Sequence, residues 1–347
     1  SLNGGDIQIA AQGTGKQLRI QNTQEPTIIG GVNTTGNIDL SGDKMQFEGH
    51  TIQSVGQLFL SNFSEGQSMG IGTESEGEGV LDASELAGIE DGFSLITIGS
   101  AVTGNVDLDQ CGVSDPLEVY GEDIRINGLS VPEAKIFPKD GHHAYTESSN
   151  VIIQLASGNT EFNGQVCPNN CGQVGQFRTN SNLQFNSGST ISLDMEASGD
   201  QVDAIDQFVM MAPVSTITLQ DNVELDINLI GSISDSFSDE VVLFDLPSGH
   251  TWSGSFEGLD EGQTLTLGGK EFLISYLGGD GNDVTLIPNG NCPGDFDSDG
   301  IVNISDLQIF LAQYGCLQNC TVDLDNDGLI GFADLADFLT YYGTSCE

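Results

Sequence analysis

One short phrase recurs along residues 1–287, in which a glycine is followed by a run of alternating apolar and polar residues. It begins at Gly15, Gly36, Gly56 and Gly104, so that the first three starts are evenly spaced and the last interval is roughly twice as long. Strict alternation is typical of strands that bury one face, and an interval of about 20 residues suits one coil of a β-solenoid. The repeat therefore predicts a β-solenoid. A β-sandwich has strands of similar length and is the alternative, but it gives no reason for the near-constant spacing.

The charge of the chain limits what it can bind. Its 347 residues include 51 acidic and 8 basic ones, which gives a formal net charge of -43. A nucleic-acid binder needs a basic surface that neutralises phosphates, and a peripheral membrane protein needs Lys and Arg against anionic headgroups. Neither surface can be built from this composition. Because no apolar run approaches about 18 residues, membrane insertion is not expected either.

Residues 288–294 form a boundary, because Pro, Gly and Asn dominate this predicted linker. Beyond it, segments 295–306 and 323–334 share one acidic pattern, position for position. Oxygen donors at loop positions 1, 3, 5 and 12, a carbonyl at position 7 and a glycine at position 6 suit Ca²⁺. The pattern predicts two calcium ions. The expected ligands are Asp295, Asp297, Asp299, Asp306, Asp323, Asp325, Asp327 and Asp334, with the carbonyls of Ile301 and Leu329.

An amphipathic helix is expected after each acidic loop. Apolar residues recur at positions i, i+3, i+4 and i+7 in both copies, namely Leu307, Phe310, Leu311 and Tyr314, then Leu335, Phe338, Leu339 and Tyr342. Gly315 and Gly343 are expected to end the two helices. The alternative is a helical hairpin capped by acidic turns without metal. Calcium is favoured because carboxylates this dense repel one another.

Four stretches of the repeat region resemble known extracellular proteins. Residues 79–99 resemble repeats of secreted haemagglutinin-like adhesins, whose passenger domains are right-handed β-helices. The runs 206–211, 223–228 and 272–286 resemble the end of autotransporter-type passenger repeats, and the pattern changes near residue 180. The resemblance implies a right-handed parallel β-solenoid (β-helix) over residues 1–287 and an extracellular or cell-surface location.

Residues 295–347 resemble dockerin, a duplicated calcium loop-helix module that binds cohesin domains in extracellular assemblies. This chain departs from dockerins at loop positions 10 and 11, where Ile304 and Ser305 in one copy correspond to Phe332 and Ala333 in the other. Gly331 supplies no side-chain ligand at position 9. The resemblance implies docking onto another extracellular protein, or onto a second copy of this chain, more than onto cohesin itself.

Seven cysteines in such a chain suggest disulfides. The candidates are Cys167 with Cys171 as a local bridge, and two bridges among Cys292, Cys316, Cys320 and Cys346. The last four allow two symmetric pairings, 292 with 316 and 320 with 346, or 292 with 346 and 316 with 320. The resemblance to dockerin, whose ends come together, favours the second, and a zinc site is less consistent with the spacing. Cys111 is left over and is expected to be buried rather than intermolecular.

The one basic cluster is the candidate for catalysis. It consists of Arg125, Lys135, Lys139, His142 and His143, most of them within residues 131–149, which are expected to be an irregular loop over one face of the coils. A β-helix polysaccharide lyase would need such a base to remove a proton. We expect instead a solvent-exposed loop whose basic residues reduce the local negative charge, because no recognisable catalytic arrangement accompanies these residues.

These observations predict a non-catalytic extracellular structural or adhesive protein that associates head to tail into a surface filament or layer. One alternative is a fragment of a larger adhesin, since the chain begins at Ser1 without Met. The other is a β-helix polysaccharide lyase that carries the dockerin-like module. A carbohydrate-binding module is less expected, because one Trp and six Tyr leave few residues for an aromatic face.

Overall fold

A computed structural model describes most of the chain. The described residues are 7–10, 17–19, 28–30, 35–46, 51–72, 79–146, 152–155, 159–169, 171–211, 214–234, 237–279, 281–289, 294–297, 301–316, 322, 324 and 329–344. Within them the chain is mainly β, with three short helices.

The strands have these bounds in chain order: β1 (Ile7–Ala10), β2 (Gln17–Arg19), β3 (Ile28–Gly30), β4 (Ile38–Ser41), β5 (Lys44–Gln46), β6 (Thr51–Gln53), β7 (Gln57–Ser61), β8 (Met69–Gly72), β9 (Gly79–Leu81), β10 (Leu95–Gly99), β11 (Val106–Gly112), β12 (Leu117–Gly121), β13 (Ile124–Val131), β14 (Ala134–Pro138) and β15 (His143–Tyr145). The second half contains β16 (Ile152–Leu155), β17 (Asn159–Phe162), β18 (Gln165–Cys167), β19 (Gln176–Thr179), β20 (Asn182–Phe185), β21 (Thr190–Gly199), β22 (Gln201–Ile205), β23 (Gln207–Met210), β24 (Thr216–Leu219), β25 (Glu224–Ile233), β26 (Val241–Phe244), β27 (Thr251–Ser253), β28 (Thr264–Leu267), β29 (Lys270–Gly278) and β30 (Asp283–Pro288). The helices are α1 (Ala83–Leu86), α2 (Ile304–Gln313) and α3 (Phe332–Tyr341).

Ten strands form one parallel sheet, in the spatial order β1, β4, β7, β10, β12, β14, β17, β20, β24 and β27. Paired residues stack in columns, so that Leu60 lies between Leu40 and Ile98. All three side chains are fully buried, because alternate residues of a strand point to the same face. Stacked parallel strands of this kind are consistent with the predicted β-solenoid.

A second sheet of twelve strands is also mainly parallel. Eight of its strands follow one another in the order β22, β21, β18, β15, β13, β11, β8 and β9. The other four branch from this series: β16 pairs with β13, β19 with β16, β23 with β19, and β25 with β21. The exception is the hairpin of β21 and β22, whose pairing is antiparallel. Its two-residue turn starts at Gly199, which has a φ of +67°, a conformation that glycine adopts without steric cost. Two small parallel pairs, β2 with β5 and β3 with β6, complete the parallel part.

The prediction of a parallel solenoid up to residue 287 is wrong for its last part. Strands β26, β30, β29 and β28 form a separate antiparallel sheet in that order. The reason is local turn geometry: Gly268 and Gly269 have φ values of +61° and +88° and form a two-residue hairpin turn between β28 and β29. Paired glycines with positive φ are typical of such turns. Strands β28, β29 and β30 therefore fold back on one another, whereas β27 still pairs in parallel with β24.

Phenylalanines join the parallel sheets to this antiparallel sheet in one core. The ring of Phe185 stacks on Phe162 with centroids 5.4 Å apart and meets Phe208 edge to face at 5.7 Å. Phe208 in turn stacks on Phe244 of β26 at 5.6 Å. All four rings are fully buried. The antiparallel sheet thus extends the hydrophobic core beyond the last parallel strands.

The two predicted C-terminal helices are present, but only part of their predicted apolar faces is buried. Phe310 of α2 and Phe338 of α3 are fully buried, and their rings stack with centroids 5.7 Å apart. Gly315 and Gly343 follow the helices with φ values of +85° and +89°, as expected for residues that end helices. None of the described helices is long and apolar enough to cross a membrane.

Candidate calcium site

Asp306 holds the first acidic loop in place. It lies in the first turn of α2, is fully buried, and accepts backbone hydrogen bonds at both carboxylate oxygens. Oδ1 accepts from the amides of Phe296 (2.7 Å) and Asp297 (3.1 Å), and Oδ2 accepts from Asn303 (2.9 Å). Asn303 caps the helix by accepting from the Ser305 amide at 2.8 Å. The start of α2 and the loop are therefore tied together through one carboxylate.

Three of the predicted ligands converge. One carboxylate oxygen each from Asp295, Asp297 and Asp306 lies within 4.8 Å of the others. Asp295 is half-buried and Asp297 is exposed, so the group opens toward solvent. Residues 291–347 contain ten acidic residues and no Lys, Arg or His, so no basic side chain of this segment can neutralise the group. Carboxylate oxygens that converge in this way fit a hard cation that takes oxygen ligands, such as Ca²⁺.

The second acidic loop, residues 323–334, repeats the same contacts. Asp334 is fully buried, and it accepts from the amides of Leu324 (2.8 Å) and Gly331 (2.7 Å). These amides correspond to Phe296 and Asn303 of the first loop. Four predicted ligands lie outside the described residues, namely Asp299, Asp323, Asp325 and Asp327. The predicted carbonyl ligands belong to Ile301 and Leu329. The Ile301 carbonyl accepts a hydrogen bond from the Asn303 side chain at 2.9 Å.

Each acidic loop is hydrogen-bonded to the end of the opposite helix. Val302 donates to the carbonyl of Thr344 (3.0 Å) and accepts from Gly343 (2.8 Å). Ile330 of the second loop donates to the carbonyl of Cys316 (3.1 Å) and accepts from Gly315 at 2.8 Å. These bridges were not predicted from the sequence, although both bridging residues are apolar and follow the position 7 carbonyl. A ligand that orders one loop would therefore also order the end of the other helix.

Matching apolar side chains are exposed on the two helices. On the first loop and helix they include Ile304, Leu311 and Tyr314, and their counterparts in the second copy are Phe332, Leu339 and Tyr342. Phe332 is the most exposed of them, at 77%. Exposed apolar residues grouped on one small module are typical of an interaction surface.

The cysteines bear on compartment and on metal binding. Cys167 and Cys171 form the predicted disulfide. His143 lies near these two sulfurs, but a disulfide offers no thiolate to a metal, so this group is not a zinc site. Cys316 is disulfide-bonded, and its two candidate partners, Cys292 and Cys320, lie outside the described residues, as does Cys346. Cys111 is a buried free thiol, and burial raises its pKa to about 12.

The segment expected to be an irregular loop belongs largely to the sheets. Lys135 lies on β14 and His143 on β15, because alternating apolar residues around them continue the inward-facing pattern. The expectation of an irregular loop over residues 131–149 is therefore wrong for residues 134–138 and 143–145, and residues 147–149 lie outside the described part of the chain. Lys139 and His142 lie in the turn between these strands, and Arg125 lies on β13.

Each member of the basic cluster has an acidic neighbour. The Arg125 guanidinium forms a two-pronged ion pair with Asp107, its cross-strand neighbour. Lys135 lies 3.8 Å from Glu161, and Lys139 lies 3.3 Å from Glu122. The Nδ1 atoms of His142 and His143 lie 3.3 and 3.5 Å from one oxygen of Asp123. The structure thus distributes the five side chains over four carboxylates, and the two histidines share that of Asp123.

Comparisons with known proteins give no independent assignment, because no family model, no curated protein and no solved structure matches the chain.

Proposed function

We propose that this chain is a non-catalytic, extracellular structural or adhesive protein, with a right-handed β-solenoid and a dockerin-like C-terminal module that binds two calcium ions. The module docks onto a neighbouring copy, so that chains associate head to tail into a surface filament or layer. The observation that supports this function is the pairing of two features: converging carboxylates in the loop before α2, and an exposed apolar surface on α2 and α3.

Calcium and docking are coupled through the loop contacts. Without a cation, Asp295, Asp297 and Asp306 repel one another at close range and open the loop. The bridges of Val302 and Ile330 then loosen both helix ends, on which Tyr314 and Tyr342 lie. A bound calcium ion favours the arrangement that presents the apolar side chains together.

The surroundings of the basic cluster support the non-catalytic part of the proposal. A general base must be free to take a proton from a substrate within hydrogen-bonding reach. Lys135 and Lys139 instead face Glu161 and Glu122 across neighbouring strands and turns. These contacts fit cations that reduce the repulsion within a strongly acidic solenoid.

Calcium binding is tested by titration after chelation, with calorimetry for stoichiometry and far-ultraviolet circular dichroism for helix content. The wild type should bind two ions and gain helix signal. Asp297→Ala removes an exposed predicted ligand, and it should lower the stoichiometry or affinity of one site. Asp337→Ala on α3 is the matched control, because it removes an exposed acid outside both loops. An unchanged helix signal and no heat on adding calcium would reject the ion.

Docking is tested separately by sedimentation velocity with 2 mM calcium chloride or with a chelator, conditions chosen to be about saturating or calcium-free. Leu311→Glu should abolish calcium-dependent association. Gln308→Glu adds the same charge to an exposed position of the same helix and should leave association intact. If the wild type binds calcium but stays a monomer at high concentration, the assembly part of the proposal is wrong.

A further inference from the structure

A small cavity lies at the open edge of strand β23, next to the antiparallel sheet. It has a volume of about 240 Å³, and its lining includes Arg178, Gln207 and Asp245. Among the described strands, β23 pairs only with β19. Asp245 and Pro247, which follow β26, also line the cavity.

Arg178 differs from three other basic side chains of the solenoid. Arg125, Lys135 and Lys139 each contact a carboxylate. Among the described residues, the only side-chain partner of the Arg178 guanidinium is an amide, since Nε and one terminal nitrogen donate to Gln176 Oε1 at 3.2 and 2.9 Å. Gln176 donates on to Gln207 Oε1 at 3.3 Å. The guanidinium is thus oriented, and no carboxylate in the described part of the chain forms an ion pair with it, in a chain of net charge -43.

Backbone amides of β23 add further donors to the cavity. The amides of Gln207 and Met211 donate to β19 and its flanking residue, at 3.1 Å to Gly175 and 2.7 Å to Thr179. Because successive amides of a strand point to opposite edges, those of Phe208 and Met210 point to the open edge. Their side chains are buried in the core, so these two residues line the cavity with backbone atoms. The two amides therefore face the cavity rather than a neighbouring strand.

From this arrangement we infer a binding site for a sugar acid, that is, a single uronic-acid unit. A planar guanidinium beside one outward-pointing backbone amide suits a carboxylate, which can accept from both donors at once. Asp245 and Gln207 suit the neighbouring hydroxyl groups, because a carboxylate accepts from a hydroxyl and an amide can donate or accept. A phosphate group fits less well, since its second negative charge would lie near Asp245. The cavity has room for one ring rather than an oligomer.

The site is independent of the calcium module and of the proposed assembly. Its test is saturation-transfer NMR on the full chain at about 0.15 M salt, where repulsion from distant acidic residues is screened. Methyl glucuronide and methyl glucoside are the matched probes, because they share the ring and most hydroxyl groups and differ in the carboxylate. The wild type should show transfer to the glucuronide and at least tenfold weaker binding of the glucoside.

Two variants and one control decide the role of the cavity. Arg178→Gln should weaken glucuronide binding at least tenfold and remove the preference over the glucoside. Val209 also lines the cavity, so Val209→Phe should fill it without a change of charge and have the same effect. Lys139→Gln removes an exposed cation elsewhere on the solenoid and should change nothing. Equal binding of the two glycosides by the wild type, no binding of either, or retained preference in both cavity variants would overturn the inference.

Discussion

Replacing Asp206 by asparagine should change how the stability of the protein depends on pH. Asp206 is fully buried, and this burial raises the pKa of its carboxyl group from 3.8 to about 7. Hydrogen bonds from the amides of Asp194 (2.8 Å) and Gly175 (2.6 Å) lower this pKa, whereas the negative charge of the neighbouring Asp194 carboxylate raises it further. The folded protein therefore binds this proton more tightly than the unfolded chain does.

The sign and size of the effect follow from linkage. Because the folded pKa is raised, the stabilisation is fully present below the unfolded pKa of 3.8 and is lost as the pH rises through 7. At 1.36 kcal/mol per pKa unit, the total loss is about 4 kcal/mol. About 3 kcal/mol of it falls between pH 5 and pH 8. The wild type should lose this free energy of unfolding across that window, in addition to the background from its other carboxylates.

The assay is guanidinium unfolding at pH 5, 6, 7 and 8, followed by the fluorescence of Trp252. This is the only tryptophan of the chain, and its ring lies 4.8 Å from Phe244 at the end of the solenoid core. Asp206→Asn cannot titrate, so its stability should fall less steeply with pH. It also sets an amide nitrogen against a backbone donor, which lowers stability by about 1–3 kcal/mol at every pH.

Asp203→Asn is the matched control for this experiment. Asp203 lies on β22, close to Asp206 in sequence, and is exposed, so its replacement removes the same charge without touching the buried pair. Its pH profile should follow that of the wild type. If Asp206→Asn follows the wild type as well, the assignment of the buried proton is refuted.

Three further predictions test the packing of the coils. Gly72→Ala should lower the free energy of unfolding by more than Gly66→Ala, whose cost is about 1 kcal/mol. Both glycines have positive φ, but only at Gly72 would the added methyl group overlap a backbone carbonyl oxygen, that of Asp109 on the neighbouring strand. Equal unfolding midpoints of the two variants in denaturant would contradict this. Phe208→Ala should cost about 3–5 kcal/mol, whereas Phe63→Ala at an exposed position should cost far less, as measured by thermal melting of both variants. Cys111 should resist thiol reagents until the protein unfolds, and rapid labelling of the native protein would show that it is not buried.

The sequence predicted strands and their inward faces well, because alternation depends only on neighbouring residues. The phrases that begin at Gly36 and Gly56 lie side by side, with Ile38 opposite Leu58. The interval between coils was less predictable. The chain between Leu58 and its next partner Ile96 is much longer than the chain between Ile38 and Leu58, since it forms strands of the other sheet and α1. Strand register constrains paired residues but leaves the length of the chain between them free.

The interpretation of Gly104 shows the same limit. Its phrase forms β11 in the second sheet, and Val106 pairs with Ile124 of the following coil. Similar phrases therefore occur in both sheets, because both sheets bury one face. The antiparallel end of the region did carry a readable sign, the adjacent Gly268 and Gly269, which favour a hairpin over a further coil.

The candidate calcium site was predictable to a greater extent than the buried carboxylates. Its ligands are close in sequence, so a fixed spacing specifies their convergence before a helix. Asp194 and Asp206 carry no such pattern. Both carboxylates lie beneath the turn that precedes β19. Asp194 accepts a hydrogen bond from the Gly172 amide of this turn at 2.6 Å, and Asp206 accepts one from the Gly175 amide. A contact of this kind depends on how the coils stack, which local sequence does not specify.

The charge distribution limits how copies of this chain can meet. At physiological salt, surface charges interact over about 8 Å, so two acidic solenoids repel one another when their faces approach. Arg125, Lys135 and Lys139 are already paired within their own chain, which leaves few cations to bridge copies. Contact is then favoured where apolar side chains such as Phe332 are exposed and where a bound cation offsets nearby acids. Each calcium ion would offset two charges of the module, so the proposed docking depends on calcium electrostatically as well as through the order of the loops.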